Sequence, residues 1–283
     1  MYQQTQQTQP TNNMNTNQLA GKGMIAVIKM GRWGATKRHK AATDEVNQNN
    51  QTDAAKVSVT LTKHPALKEI ISIQGYARQT HYSLTLPSVD EGMRIVPAAR
   101  MHEHSAAMNQ FATQIRQVVD LFMRDYAYER LTAPARLGGL YDARQWPDED
   151  IVREKFRFET DYRPIPTQGQ WQQWLLDSAK EGREELRERV AIAVRHIADR
   201  LAAVNVPGAV CDGRTFRDSV VGNLREILDL APDLNFMDDK DIADLVREAR
   251  ALAQHDPETL RNSQTLRQEV REKADKVAGM FNL

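Results

Sequence analysis

Lys22, Lys29, Arg32, Lys37, Arg38 and Lys40 all precede Asp44, the first acidic residue of the chain. Trp33 sits among them, between Gly31 and Gly34. Cations beside an indole in a glycine-flanked loop suit two contacts with nucleic acid: the charges meet phosphates and the ring stacks on a base. On this reading Lys29, Arg32, Trp33, Lys37, Arg38 and Lys40 form a candidate nucleic-acid-binding site, with single-stranded DNA as the ligand class. Two other readings are open at this stage. The segment can be a solvated loop whose tryptophan tucks into the core, or it can meet an acidic protein partner.

The remaining chemistry-bearing residues favour structural roles. His102 and His104 flank Glu103. On a strand the two rings would share a face, but on a helix they diverge by about 200°, and this stretch reads as helix. Asp238, Asp239, Asp241 and Asp244 are dense enough to suggest a divalent metal. They fall where a helix begins, and acids are favoured there by the helix dipole. Cys211 is the single cysteine, so no internal disulfide can form, and a lone thiol reads as a small buried apolar group. Gly21-Lys22-Gly23 lacks the rest of a phosphate loop, and no nucleophile elbow or triad element is present. The chain is therefore expected to be non-enzymatic, with no cofactor and no metal.

Lys plus Arg and Asp plus Glu balance at 38 each. A protein that coats nucleic acid by overall charge would be basic, so such a role must come from a local patch. No apolar run approaches the roughly 20 residues of a membrane helix, so no membrane partner is expected. The Gln/Thr/Asn-rich opening lacks the basic and apolar regions of a signal peptide. A cytoplasmic setting is expected.

These side chains need elements to carry them. Residues 1–20 have almost nothing to bury and read as a disordered polar tail. Met24–Ile28 reads as a strand; Val57, Val59 and Leu61 alternate with polar residues and fit either a second strand or the start of a helix; and Pro65 opens a helix to about Tyr82. Met93–Pro97 is extended. A long helix spans about 98–131, with Met101, Met108, Phe111, Ile115, Val118, Val119, Phe122 and Tyr126 in one stripe. Asp148 caps a short helix, and Lys155–Tyr162 alternates as a strand. A second long helix spans about 170–205, its stripe running through Trp171, Trp174, Leu175, Leu186, Val190, Val194, Ile197 and Leu201. Three shorter helices follow.

Several ordered segments resemble one uncharacterised family of bacteriophage and prophage proteins. They include Ala77-Arg78-Gln79-Thr80-His81-Tyr82, Thr85-Leu86-Pro87, Asp90–Ala98, Trp146-Pro147, Lys155-Phe156-Arg157-Phe158, Pro164-Ile165-Pro166 and Phe216-Arg217-Asp218-Ser219. The resemblance implies a phage or mobile-element origin, and with it a host cytoplasm. It implies no established activity.

The expected fold is α+β and predominantly α: a long antiparallel helix pair, formed by the two long helices, with a small β-sheet and a C-terminal helical bundle. Residues 21–205 would hold the sheet and the pair, and 206–283 the helical region packed on it. The expected function is that of a phage accessory protein binding nucleic acid or a DNA-handling complex. The alternative is a structural adaptor that oligomerises through its helices or binds a phage or host protein such as an ATPase.

Overall fold

The computed structural model describes residues 21–166, 171–204 and 217–280; the polar tail 1–20, Cys211 and Phe216 lie outside them. The chain is mostly helical with small antiparallel sheets, as its apolar periodicity requires. Two compact units are assembled from interleaved stretches. One combines 27–83 with 102–161. The other combines the described parts of 1–26, 84–101 and 162–283.

Strand β1 (Gly23–Met30) covers the predicted Met24–Ile28. It pairs antiparallel with β5 (Arg94–Pro97), Gly23 opposite Pro97 and Ala26 opposite Arg94. β5 also pairs with β4 (Leu86–Pro87), and β6 (Phe158–Pro164) flanks β1, giving the order β4-β5-β1-β6. The expected neighbours β1 and β6 are thus adjacent. A separate ribbon joins β2 (Thr36–Arg38) to β3 (Ser58–Thr60).

In the unit built from 27–83 and 102–161, helix α2 (Pro65–Ser83) lies antiparallel to α3 (Met101–Leu137). Contacts fix the direction: His81 near the end of α2 meets His104 near the start of α3, whereas His64, just before α2, meets Asp125. The buried face of α2 carries Ala66, Ile70, Gln74, Ala77 and His81 at helical spacing. Opposite lie Ile115, Val118, Val119, Phe122 and Tyr126, which share a core with Trp33, Leu61, Trp146 and Val152. Phe122 and Tyr126 are wholly buried. Each such side chain contributes about 1.5–3 kcal/mol, well above a surface ion pair.

In the other unit, α5 (Trp171–Val204) buries Leu175, Leu186, Val190, Val194, Ile197 and Leu201. It packs against α6 (Asp218–Leu234) and α9 (Gln264–Met280), while α7 (Lys240–Ala253) packs on α6. A short α8 (Pro257–Asn262) begins as its sequence demands, with Asp256 accepting from the Thr259 amide and Pro257 in the first turn. These helices form the predicted C-terminal bundle.

The antiparallel pair exists, but its second member differs from the expectation. The sequence paired 98–131 with 170–205. Those two helices, α3 and α5, fall in different units, and each stripe is covered within its own. A stripe reveals that a helix face is buried, not by which neighbour. The true partner, α2, buries small or polar residues (Ala66, Gln74, Ala77) that give a weak periodic signal.

Candidate nucleic-acid interface

The basic segment leaves β1 at Gly31. The Gly31 amide donates to the Arg157 carbonyl at 2.8 Å, and its carbonyl accepts from Gln74 Nε2 at 2.9 Å. A Cβ here would stand 2.7 Å from the Lys155 carbonyl oxygen, so only glycine permits this approach. Two residues on, Trp33 plunges into the core and is 5% exposed. Its ring stands edge-on to Tyr126 at 5.6 Å and to Trp146 at 6.4 Å, and tilted against Phe122 at 5.9 Å. These are favoured aromatic geometries. The indole anchors the loop and is closed to any base. The expected stacking role of Trp33 is corrected accordingly: a bulky apolar ring gains more from the aromatic core than from water.

Ala35 then adopts a left-handed φ of 49° and turns the chain into β2, its carbonyl accepting from the Leu61 amide at 2.7 Å. In the ribbon Lys37 stands opposite Val59 and Arg38 opposite Ser58. Successive side chains alternate, so Lys37 and Arg38 leave opposite faces. His39 ends the ribbon and caps α1 (Lys40–Asn49), its Nδ1 accepting from the Ala42 amide at 3.1 Å. That bond places a neutral ring's proton on Nε2. Thr43, wholly buried in α1, donates to the His39 carbonyl and accepts from the Val57 amide.

The loop is thus held at Gly31, Trp33, Ala35, His39 and Thr43, while its cations face water. Lys29, Arg32, Lys37, Arg38 and Lys40 are all exposed. None of these five makes a side-chain hydrogen bond or ion pair with another described residue. Arg130, Arg153, Arg183 and Arg247, by contrast, each hold a carboxylate. Lys22 belongs to the other unit and pairs with Asp238.

A cleft of about 520 Å³ opens in the same unit between α3 and the segment running from α4 (Glu149–Lys155) into β6. Ile115, Val119, Phe156 and Phe158 supply its apolar surface, and Arg116, Arg153 and Arg157 its cations. Sequence reading did not single out this cleft. Phe156-Arg157-Phe158 showed there as strand alternation and as one of the segments of the family resemblance, and Arg116 lies far away on α3.

The other singled-out residues do not converge. His102 is exposed, whereas His104 is wholly buried and shares a 2.8 Å Nε2···Nδ1 hydrogen bond with His81. Burial lowers the pKa of His104 to about 4. Asp239 caps α7 through the Ile242 amide, and Asp244 pairs with Arg247 at 2.7 Å. Trp174 donates to Asp90 at 2.8 Å and meets Trp171 edge-on. Among the described residues no three of His, Cys, Asp or Glu gather closely enough to hold a metal ion, and no helix is long and apolar enough to cross a membrane.

Comparison with the models of known protein families, with curated proteins and with solved structures found no match.

Proposed function

We propose that this chain is a non-enzymatic nucleic-acid-binding protein that tracks the phosphates of a single strand with Lys29, Arg32, Lys37, Arg38 and Lys40. One observation carries the reading: five exposed cations lie within one rigidly anchored segment, and no described carboxylate neutralises them. A surface lysine or arginine is ordinarily free or in weak pairs, but five within the anchored stretch from the end of β1 to the start of α1 form a local positive field despite zero net charge. With Trp33 closed off, the loop itself supplies charge and not stacking, so its binding is salt-sensitive and nearly indifferent to sequence. The phage setting and host cytoplasm rest solely on the short motifs that resemble the prophage family.

The test is fluorescence anisotropy of a labelled oligothymidine with the full chain and with a variant carrying Arg32→Ala, Lys37→Ala, Arg38→Ala and Lys40→Ala. All four side chains are exposed, so the variant should fold. Loss of salt-sensitive binding is the expected result, and equal binding by the two proteins would overturn the reading.

A specific observation favours a second reading. Leu121, Tyr128 and Leu131 on α3 are 46%, 67% and 78% exposed. Leu121 and Tyr128 lie seven apart and share a face. An adaptor that associates through this face would show concentration-dependent mass in light scattering, removed by Leu131→Glu with Tyr128→Glu. A constant monomer mass would eliminate it.

A further inference from the structure

We infer that the cleft between α3 and β6 is a pocket for one nucleotide unit, base inside and phosphate at the rim, of a single-stranded nucleic acid. The inference deepens the proposed function and rests on it for the strand, though not for the pocket. Its volume, about 520 Å³, lies in the range of small-molecule sites, roughly 300–1,000 Å³. Ile115 and Val119 are buried, and Phe156 and Phe158 are half-buried against the same core. Phe156 is itself braced edge-on by Phe122 at 5.9 Å. Two phenyl groups one residue apart in an extended segment offer a π surface that any base can use.

Charge distinguishes this cleft from an apolar groove. Arg153 is held by Asp120, so that pair is internally neutral. Arg116 reaches only the Thr113 hydroxyl, at 3.2 Å, and Arg157 has no side-chain partner among the described residues. Both arginines are exposed, and they line the cleft together with one unpaired carboxylate, Glu159. Two forked donors without a counter-ion suit a phosphate, which accepts from both. Glu159 can accept from an exocyclic amine, which a purine such as adenine presents.

The pocket is also joined to the basic loop. The Gly31 amide binds the Arg157 carbonyl directly, and Arg32 is the next residue. A strand whose phosphates follow Lys29 and Arg32 therefore passes beside Arg157. In this arrangement a loop without a stacking ring would still favour a single strand, because the base would be taken by the neighbouring cleft and not by Trp33.

The probe is deoxyadenosine monophosphate, titrated into the full chain by calorimetry. Saturable one-site binding is expected, abolished by Arg116→Ala with Arg157→Ala and roughly tenfold weaker in Phe158→Leu. Adenosine, which lacks the phosphate, should bind at least tenfold more weakly. Unsaturable binding, or binding that ignores the paired arginine replacement, overturns the pocket. Oligothymidine anisotropy on the same proteins separates the two ideas. A chain that binds the mononucleotide but no oligomer keeps the pocket and refutes the phosphate track. A chain that binds the oligomer but not the mononucleotide does the reverse.

Discussion

Lowering the pH from 7 to 5 is expected to weaken the contact between α2 and α3 through His81 and His104. Both rings are buried, at 1% and 0% exposure, and they share one N–H···N hydrogen bond at 2.8 Å. The neutral pair satisfies that bond with one donor and one acceptor, and a proton added to His104 would place a charge where water cannot solvate it. Burial lowers the pKa of His104 from 6.5 to about 4. The folded value lies below the unfolded one, so the unfolded chain binds more protons between them. The contribution is therefore fully present above 6.5 and is lost as pH falls towards about 4. From these two values the loss is about 2 kcal/mol between pH 7 and 5 and about 3 kcal/mol by pH 4. Urea unfolding at pH 7, 6 and 5 would measure it, with His104→Gln as the comparison. The wild type should lose stability on acidification and the glutamine variant should lose markedly less. Parallel pH dependences for the two proteins would refute the reasoning.

Tyr126→Phe should cost about 1–2 kcal/mol, because the Tyr126 hydroxyl donates to the Pro147 carbonyl at 2.6 Å and the half-shielded acceptor would lose its partner; thermal unfolding reads this. Burial also raises the pKa of Tyr126 to about 12, so phenolate absorbance of the folded chain should show this tyrosine titrating later than an exposed one. Gly31→Ala should destabilise by more than about 1 kcal/mol and weaken DNA binding together, since the added methyl would strike the Lys155 carbonyl and part the loop from Arg157; a variant of normal melting temperature would contradict the close approach. Trp33→Phe should lower stability yet leave oligonucleotide affinity within about twofold at a temperature where the chain is folded; a stacking tryptophan would instead lose about 1–3 kcal/mol of binding.

Long apolar stripes were readable because large side chains at helical spacing leave few alternatives. Helix α3 was found that way, although it runs on through Pro134 to Leu137, where Ala133 is still buried. Helix α1 escaped notice because it buries only Thr43; capping by His39 and the Thr43 hydroxyl holds it, and neither has a period. Strand β2 is three exposed residues, Thr36 to Arg38, defined by pairing with β3 and not by composition. The cations of the candidate site were legible as an acid-free run. The position of Trp33 was not, because an indole flanked by glycines serves equally well as an exposed platform or a core anchor. Three aromatic partners from α3 and the loop before α4 decide it, and they come from far along the chain. The same distance hid the cleft, whose arginines unite only once α3 meets β6.

The salt dependence of oligothymidine binding tests the phosphate track most directly. For a single strand the logarithm of affinity falls with the logarithm of salt by about 0.7 per neutralised phosphate. The five loop cations alone therefore predict a slope near −3.5, flattened by nearly 3 when Arg32, Lys37, Arg38 and Lys40 are replaced. Affinity that does not change between about 50 and 200 mM salt, or a slope left intact by the replacement, would contradict the account.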